Sequence, residues 1–415
     1  MVPSQVIVLG GGFAGMAAAE HLGRKGIDVL LIDKNNYHQF QPLLYQVATA
    51  QLGASVVARS LRSIFRGNKH VRVLTAEATA IDPAARTVTV ADGTVHQAQV
   101  LVIASGAEAN FFNTPGVERY AYPLYSVQDA VRLGAKLFAE LDDADAAADE
   151  SGGVPVVVVG GGPTGVETAG AIAEAFKYSV PGYFSAGLAE RCSVHLVDLL
   201  PTVLAPFSKK SQSYAKARLA KVGVQLRLGV GVSEVTPDSV TLADGTQIAT
   251  RIVIWAGGLK AGALVAGVGL PQGRGGRIDA ATDLTVPGFD GVYVLGDCAN
   301  LTDAAGHALP QLGSVAQQSG KWAARNIHAD LTGGQREPFH YLDKGVMAMV
   351  GRGGAVAELG AKRFQMQGPV AFLAWLAVHA ALLSGTAQRA SAIGHWAVGY
   401  LTHRRTQIMV ERPDR

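Results

Sequence analysis

The sequence predicts an α/β fold in which two similar units each combine a parallel sheet with a glycine-rich turn. Two internal repeats carry this prediction: residues 5–22 resemble residues 155–172, and residues 88–106 resemble residues 240–258. In the first pair, an apolar strand enters a glycine-rich turn and then a helix. In the second pair, an Ala-Asp-Gly-Thr turn joins two β-rich runs, which is a strong hairpin signal. Each half of the chain is therefore predicted to run strand, glycine turn, helix, strand, meander and strand.

Composition indicates a folded protein of two or three domains. The chain has 415 residues, of which 48% are hydrophobic and 17% charged, so it can bury a large core. The formal net charge is +3 and no basic run studded with aromatics occurs, which gives no case for a nucleic-acid partner. The two cysteines, Cys192 and Cys298, are too few for a disulfide framework or a thiolate metal site, and no metal is predicted. A glycine motif at Gly10, directly after the first strand, argues against a signal peptide and for a cytoplasmic body.

Both glycine turns match the pattern G-x-G-x-x-G in the setting that this motif needs, between an apolar strand and a helix. The first glycine allows the tight turn, the second lets a pyrophosphate approach, and the third permits close helix packing. The N-terminus of the following helix adds N–H donors and partial positive charge. The motif residues are Gly10, Gly12 and Gly15 in the first unit and Gly160, Gly162 and Gly165 in the second.

An acidic residue ends the second strand of each unit, at Asp33 and Asp198. A carboxylate there accepts hydrogen bonds from ribose hydroxyls and repels a 2′-phosphate, so Asp198 favours NADH over NADPH; the alternative is a solvated aspartate at a strand end. Two dinucleotides in one chain imply hydride transfer between them, and the predicted pair is FAD in the first unit and NADH in the second. Gly296 and Asp297 support FAD, because a carboxylate at the end of the strand in 291–301 can bond the ribitol chain.

That same strand is predicted to return to the first unit and make it discontinuous. The predicted FAD-binding domain comprises residues 1–115 and 283–335, and the predicted NADH-binding domain comprises residues 116–282. A C-terminal region, residues 336–415, follows.

The C-terminal region contains a stretch, residues 369–388, without Asp, Glu, Lys or Arg. Its apolar core, 370–383, would span about 21 Å as a helix, less than the roughly 30 Å of a bilayer core. Residues 389–405 add Trp396, Tyr400 and a basic cluster, a pattern typical of a helix lying in the membrane interface. The alternatives are a dimerisation hairpin, giving a homodimer, core packing, and a true transmembrane span. The predicted fold class is α/β, with two Rossmann-like dinucleotide-binding domains and a membrane-associated helical segment.

Five stretches together resemble the type II NADH dehydrogenases, which are single-subunit NADH:quinone oxidoreductases that pump no protons. They are "GGGFAG", "NNYHQFQPLLYQVATA", "VVVVGGGPTGVETAG", "VYVLGDCA" and "LDKGVMAMVGRGGAVAEL". The resemblance spans nearly the whole chain. It implies a peripheral, monotopic enzyme on the cytoplasmic face of the cell membrane, with menaquinone or ubiquinone as acceptor.

The resemblance also implies roles for three residues. The segment 37–49 would run along the flavin, where the amide of Gln46 bonds ring edges without adding charge; the alternative is a loop packed by its own aromatics. Glu167, predicted in the first turn of its helix, would lie where nicotinamide meets flavin as a proton donor or gate, or would simply favour the helix N-terminus. Lys344 would stabilise the anionic reduced ring or protonate quinone, or would be a surface lysine. The remaining predicted contacts are Lys34, Ala104 and Gly106 for FAD and Gly257 for NADH.

One departure concerns the acceptor. The family usually has Ala-Gln where this chain has Gly313-Ser314, whereas Gln318 matches the family's second glutamine. The predicted quinone contacts are Ser314, Gln317, Gln318 and Lys344. The shorter Ser314 leaves open a different quinone or another acceptor, and two alternative functions follow: a soluble NADH-dependent reductase of an electron-carrier protein, and an NADH-sensing flavoprotein that acts by binding a partner. The absence of paired cysteines argues against disulfide and sulfide:quinone reductases.

Overall fold

The computed structural model describes residues 4–147, 152–303, 306–360, 362–405 and 407–408. The chain forms two compact units, each assembled from three separate segments. Unit 1 comprises Met1–Gln39, Arg59–Glu108 and Leu259–Leu342, and unit 2 comprises Phe40–Ala58, Ala109–Gly258 and Asp343–Arg415.

Stretches in which strands and helices alternate are separated by runs of consecutive strands. The strands are β1 (Val6–Leu9), β2 (Val29–Asp33), β3 (Tyr37–Gln39), β4 (Ala58–Ser60), β5 (Val71–Thr75), β6 (Ala78–Asp82), β7 (Thr87–Val90), β8 (Val95–Gln97), β9 (Val100–Ile103), β10 (Ala107–Ala109), β11 (Ala121–Pro123), β12 (Pro155–Val159), β13 (Ser193–Asp198), β14 (Val224–Leu228), β15 (Val232–Val235), β16 (Ser239–Leu242), β17 (Gln247–Ala249), β18 (Ile252–Trp255), β19 (Leu259–Ala261), β20 (Ile278–Asp279), β21 (Val292–Val294), β22 (Ala299–Asn300), β23 (Gly345–Met349), β24 (Ala355–Leu359) and β25 (Phe364–Gly368). The helices are α1 (Phe13–Arg24), α2 (Leu44–Ala48), α3 (Ala54–Val57), α4 (Leu61–Phe65), α5 (Val117–Tyr120), α6 (Val127–Ala146), α7 (Pro163–Glu174), α8 (Leu188–Arg191), α9 (Lys209–Val222), α10 (Ala263–Ala266), α11 (Gly313–Thr332), α12 (Pro369–Leu382) and α13 (Thr386–Thr402).

Unit 1 is built on a five-stranded sheet in the order β21-β9-β1-β2-β5, whose strand pairs are parallel. Strands β1 and β9 are buried along their whole length, as expected for a parallel sheet covered on both faces. Strand β21 pairs with β9, so the prediction that this segment returns to the first unit is confirmed. Helix α11 packs on α1, and Gly320 permits this because a Cβ there would collide with the carbonyl oxygen of Ala14.

Unit 2 repeats this plan with a parallel sheet in the order β11-β18-β12-β13-β14. Helix α6 begins with a capping box in which Ser126 and Asp129 each bond the other's backbone N–H, which satisfies N–H groups of the first turn. A second, antiparallel sheet, β23-β24-β25, leads into α12 and α13.

The predicted hairpins are present in both repeats. Strands β7 and β8 pair antiparallel in unit 1, and β16 and β17 do so in unit 2. In each turn the aspartate accepts a backbone N–H two residues on, Asp92 from Thr94 at 2.8 Å and Asp244 from Thr246 at 2.9 Å. This local bond is the reason that Asp-Gly marks such turns.

The compact units do not follow the predicted domain boundaries. Residues 259–282, predicted to end the second domain, belong to unit 1, where β20 pairs with β22 and Asn300 donates to Asp279 over 2.8 Å. Residues 40–58, predicted in the first domain, belong to unit 2, as do residues 343–415, predicted as a separate region. The physical reason is burial, because Trp375 and Arg405 of the C-terminal segment are enclosed within unit 2.

The two C-terminal helices lie within a few residues of their predicted positions, with the break at Ser384-Gly385. Helix α12 buries Ala371, Phe372, Trp375 and His379 and exposes apolar side chains on its other side. None of the helices in the described part of the chain combines the length and apolar character needed to span a membrane.

Candidate active site

The glycine turn of unit 1 joins β1 to α1. Gly10 has φ +106°, a left-handed conformation that glycine adopts without strain, and a Cβ there would collide with the carbonyl oxygen of Ala104. A Cβ at Gly15 would collide with the carbonyl oxygen of Gly10. At Gly12, by contrast, no atom lies within 4 Å of the position that a Cβ would take. The turn is therefore closed at its first and third glycines and open at its second, which caps α1.

The glycine turn of unit 2 has the same design between β12 and α7. Gly160 has φ +112°, and a Cβ there would collide with the carbonyl oxygen of Ala256. A Cβ at Gly165 would collide with the carbonyl oxygen of Gly160, whereas no atom lies within 4 Å of the position that a Cβ would take at Gly162. Each unit thus provides a cradle at a helix N-terminus with backbone N–H groups and room for a phosphate.

The strand-end carboxylates are held against these turns. Asp33 accepts the N–H of Gly11 over 2.6 Å in unit 1, and Asp198 accepts the N–H of Gly161 in unit 2. Burial raises the pKa of the Asp33 carboxyl, and its backbone hydrogen bonds partly oppose this. Each bond fixes a carboxylate beside its cradle, where a ribose hydroxyl would be met.

The other predicted FAD contacts also lie in unit 1. Ala104 is buried at the end of β9, and Gly106 follows it with φ +75°. Gly296 follows β21 with φ +68°, and the next carbonyl, that of Asp297, accepts the Gln311 side chain over 2.9 Å. The structure places the side chain of Lys34 in solvent. In unit 2, the predicted NADH contact Gly257 lies after β18, against the ring of Trp255.

Gln46 lies on α2 in unit 2 and is fully buried. Its Nε2 donates to the Tyr45 hydroxyl over 3.0 Å, and its Oε1 accepts the indole N–H of Trp396 over 2.7 Å. The Tyr45 hydroxyl donates in turn to the Met349 sulfur over 3.3 Å. The amide is thus part of a buried network that reaches α13.

Glu167 is the fifth residue of α7, in its second turn, so the prediction that it lies in the first turn is wrong. The helix begins at Pro163, after the Gly162 cap, and the positive end of the helix therefore does not explain this carboxyl. Its Oε1 accepts two N–H groups at 3.1 Å, from the Met349 backbone and from the Trp375 indole. Burial raises the pKa of Glu167 to about 8, although both hydrogen bonds oppose the rise.

The predicted quinone contacts fall in both units. In unit 1, the Ser314 hydroxyl lies 2.9 Å from the Tyr341 hydroxyl. Gln318 uses both ends of its amide on the Leu342 backbone, accepting over 2.9 Å and donating over 3.0 Å. Gln317 is half-buried on the same helix, α11. Lys344, in unit 2, is exposed directly before β23.

Sequence reasoning missed the aromatic and cationic groups that enclose Glu167 and Gln46. Trp396 and the basic cluster were predicted at the membrane interface, but Trp396 and Arg405 are buried. The Arg405 guanidinium donates to the carbonyl oxygens of Thr49 and Ala171. A signal was available for Trp375, because its spacing with Ala371 and His379 marks one face of a helix.

Comparisons with known proteins extend this picture. The family model described as pyridine nucleotide-disulphide oxidoreductase matches residues 4–320. The chain is 35% identical to the type II NADH:quinone oxidoreductase Ndh of Mycobacterium tuberculosis, over 98% of this chain and 90% of that protein. It is 30% identical to the demethylphylloquinone reductase NdbB of Synechocystis, over 89% of this chain and 90% of that protein.

The chain belongs to the pyridine nucleotide-disulphide oxidoreductase family and, within it, to the type II NADH:quinone oxidoreductases. Among solved structures, the fold resembles NDH2 from Plasmodium falciparum in complex with NADH, with TM-score 0.88, 19% identity and coverage of 96% of this chain and 98% of that one. It also resembles the sulfide:quinone oxidoreductase of Aquifex aeolicus, with TM-score 0.76, 16% identity and coverage of 96% and 95%. These two likenesses concern the fold.

As a type II NADH:quinone oxidoreductase, the protein uses FAD and NADH. The two cradles fit these groups, because each is open at its second glycine, where a Cβ would occupy the space of a pyrophosphate. Bound FAD would supply the ability to take up a hydride and pass two electrons on to an acceptor. Both cysteines are free thiols, and the buried Cys298 thiol donates to the carbonyl oxygen of Leu295 over 3.2 Å.

Proposed function

We propose that the protein oxidises NADH and reduces a quinone at a membrane surface, with FAD held by unit 1 and NADH by unit 2. The observation that carries the proposal is the duplicated cradle, in which an open glycine lies beside a carboxylate in each unit. The named activity of the Mycobacterium tuberculosis relative supports quinone as the acceptor. The enzyme is thus an FAD-dependent NADH:quinone oxidoreductase that pumps no protons.

The assignment of the two cradles rests on their surroundings. Unit 1 provides Gly296 and Asp297 after β21, groups suited to the ribitol chain of an extended cofactor, together with Gly10, Gly12 and Asp33. Unit 2 provides Asp198, whose carboxylate would accept hydrogen bonds from the adenosine ribose and repel the 2′-phosphate of NADPH.

Glu167 and Gln46 are proposed to serve the transfer between the two cofactors. Because Oε1 of Glu167 accepts two N–H groups, the proton of the neutral acid resides on Oε2. A pKa of about 8 keeps that proton in place near neutral pH, so Glu167 adds no charge beside the flavin until it donates the proton and becomes a carboxylate. Gln46 is proposed to offer the remaining hydrogen-bonding capacity of its neutral amide to the ring edge.

Ser314, Gln317, Gln318 and Lys344 are proposed at the quinone end. Gln318 already uses its amide on the Leu342 backbone, so its role would be to hold that backbone in position. The Ser314 hydroxyl, bonded to Tyr341, keeps a further lone pair. Lys344, which is exposed, would supply positive charge or a proton to reduced quinone.

Membrane attachment is proposed through the lipid-facing side of the C-terminal helices. Their exposed large apolar side chains are Val370, Leu373, Val378 and Leu382 on α12 and Ile393, Val398 and Leu401 on α13, with exposed fractions from 40% to 81%. Such a surface suits a helix pair lying in the interface, and a lipid-soluble quinone would be reached there. The cytoplasmic face of the membrane is the proposed location. The alternative role of the same apolar surface is to form a homodimer.

The test is anaerobic. One equivalent of NADH is first added to the FAD-loaded protein. Menaquinone or ubiquinone analogues are then added, and flavin absorbance is recorded throughout. Bleaching by NADH and fast recovery on adding quinone are expected. Bleaching without recovery by any quinone would refute quinone reduction and favour an electron-carrier protein as the acceptor; NADPH serves as the comparison donor.

A further inference from the structure

Both buried polar groups proposed to serve the reaction receive a hydrogen bond from a C-terminal helix. Trp375 of α12 donates its indole N–H to Glu167, and Trp396 of α13 donates its indole N–H to Gln46. All four side chains belong to unit 2 and are buried. The partners lie 208 and 350 residues apart in the chain. The helices proposed to meet the membrane therefore also complete the surroundings of the candidate active site.

An indole N–H can only donate, and this gives the contacts a direction. The Glu167 oxygen facing Trp375 must be an acceptor, and the Met349 N–H engages that same oxygen. Within the described part of the chain, no hydrogen-bond donor reaches Oε2. The Trp375 contact therefore assigns the two oxygens different tasks: Oε1 accepts from the protein, and Oε2 carries the exchangeable proton.

The Trp375 ring is held firmly enough to act in this way. It is fully buried, stacks on the His379 ring with centroids 3.7 Å apart, and meets Tyr45 and Trp396 edge-on at 6.3 Å. The ring nitrogen Nδ1 of His379 lies 2.8 Å from the carbonyl oxygen of Trp375. The indole thus has little freedom to turn its N–H away from Glu167.

We propose that Trp375 is a positioning residue for the reaction. Its indole N–H selects the Glu167 oxygen that holds the proton and determines how readily that proton dissociates. The inference rests on the proposed role of Glu167. It makes α12 a working part of the active site as well as a membrane contact. A hydrogen bond to the ionised carboxylate favours that form, so loss of the N–H strengthens the hold on the proton.

Three titratable side chains near Glu167, those of Tyr45, Tyr400 and His379, carry no charge near neutral pH, whereas the Arg405 guanidinium, which donates to the carbonyl oxygen of Ala171 on α7, does. Burial raises the pKa of the phenols of Tyr45 on α2 and Tyr400 on α13, and it lowers the pKa of His379 on α12 to about 4. Strand β23 contributes no titratable side chain. Glu174, two turns further along α7, has its pKa raised by burial, but its backbone partner is Arg352 rather than Trp375.

The experiment compares Trp375→Phe with Trp396→Phe in the FAD-loaded protein. The infrared carbonyl band of the protonated acid is titrated with pH and assigned to Glu167 by its loss in Glu167→Gln. Trp375→Phe is expected to raise the midpoint by about one pH unit, since a hydrogen bond to a charged group contributes on this scale. Trp396→Phe is the matched control, because it removes an indole N–H from Gln46 and should leave the midpoint unchanged.

Equal midpoints in wild type and Trp375→Phe would overturn the inference. If the phenylalanine variant does not fold, β-(3-benzothienyl)alanine at position 375 keeps the ring size while replacing the N–H with sulfur, and the same comparison applies. The rate of flavin reduction by NADH is followed over the same pH range. The rate could stay constant across the pH range in which Glu167 titrates while the infrared midpoint still shifts in Trp375→Phe. The proposed role of Glu167 would then fail, and the assignment of Trp375 as the group that sets the proton affinity of Glu167 would stand.

Discussion

At the scale of single residues, Glu167 makes the stability of the protein depend on pH. Its pKa is raised from 4.5 to about 8 in the folded chain. A raised carboxyl pKa gives stability that is fully present below pH 4.5 and is lost as pH rises through 8. Glu167→Gln, which resembles the protonated acid, should remove this loss. We expect the variant to match wild type near pH 4 and to exceed it near pH 9 by on the order of 5 kcal/mol. Thermal melts across this range measure the difference, and a gap that does not change with pH would contradict it.

Substitution of Asp198 tests the predicted preference for NADH over NADPH. Asp198 accepts the backbone N–H groups of Gly161 and Leu200 on its two oxygens, and Asp198→Asn keeps one oxygen that can accept the Gly161 N–H but removes the negative charge. We expect KM for NADPH to fall roughly tenfold, since one charge beside a 2′-phosphate contributes about 1 kcal/mol or more, with a smaller loss for NADH. Asp244→Asn, in a hairpin turn of the same unit, changes net charge equally and should leave both constants alone. Unchanged discrimination in Asp198→Asn would show that another group excludes NADPH.

At the scale of elements, different glycines of the unit 1 turn serve folding and cofactor binding. Gly12→Ala adds a methyl group to open space, whereas Gly15→Ala drives one into the carbonyl oxygen of Gly10. We expect Gly12→Ala to fold normally and bind FAD roughly 10- to 100-fold more weakly, because the pyrophosphate loses charge-assisted bonds to the turn. Gly15→Ala should lower the thermal midpoint of the protein itself. Circular dichroism, thermal melts and FAD titration distinguish the two, and full FAD affinity in Gly12→Ala would refute the assignment of this cradle.

Local patterns explain which elements were predictable. The glycine turns, the strand-end carboxylates and the Asp-Gly hairpins depend on residues within one unit of local structure, so the sequence indicated them correctly. The helical position of Glu167 was missed because it depends on where α7 begins, which Gly162 and Pro163 decide. The burial of Arg405 was missed because its acceptors, the carbonyl oxygens of Thr49 and Ala171, lie far away in the chain. A basic cluster after aromatics has the same sequence pattern whether it faces lipid or protein.

At the scale of the whole molecule, the repeats predict two dinucleotide units but not the composition of each. Unit 2 includes the segment Phe40–Ala58 and the C-terminal segment from Asp343, which no repeat pattern connects to it. Long-range hydrogen bonds explain this membership, among them those of Gln46, Glu167 and Arg405 and those that join Glu358 to Ser208 and Ser211. The C-terminal region therefore has two faces, an inner one that completes unit 2 and an outer apolar one proposed to meet lipid.

These two faces can be separated experimentally. The double variant Leu373→Glu/Leu382→Glu charges the outer face of α12, where both side chains are more than half exposed. We expect it to lose binding to lipid vesicles while keeping NADH-driven flavin reduction and reoxidation by a water-soluble quinone. Val95→Glu, at an equally exposed position on β8 in unit 1, is the control and should keep vesicle binding.

A chain ending at Gly368 should behave differently, because it also removes the inner face. It deletes the buried Trp375 and Trp396 and leaves Glu167 and Gln46 without their indole donors. Loss of one buried aromatic side chain costs about 3–5 kcal/mol, and two such losses approach the roughly 5–15 kcal/mol that stabilises a typical domain. We expect a lowered melting temperature and loss of flavin reduction by NADH even with soluble substrates. A shortened chain that melted like wild type and still reduced its flavin would mean that the C-terminal helices serve only as an anchor, and the double variant would then show the same behaviour as the truncation.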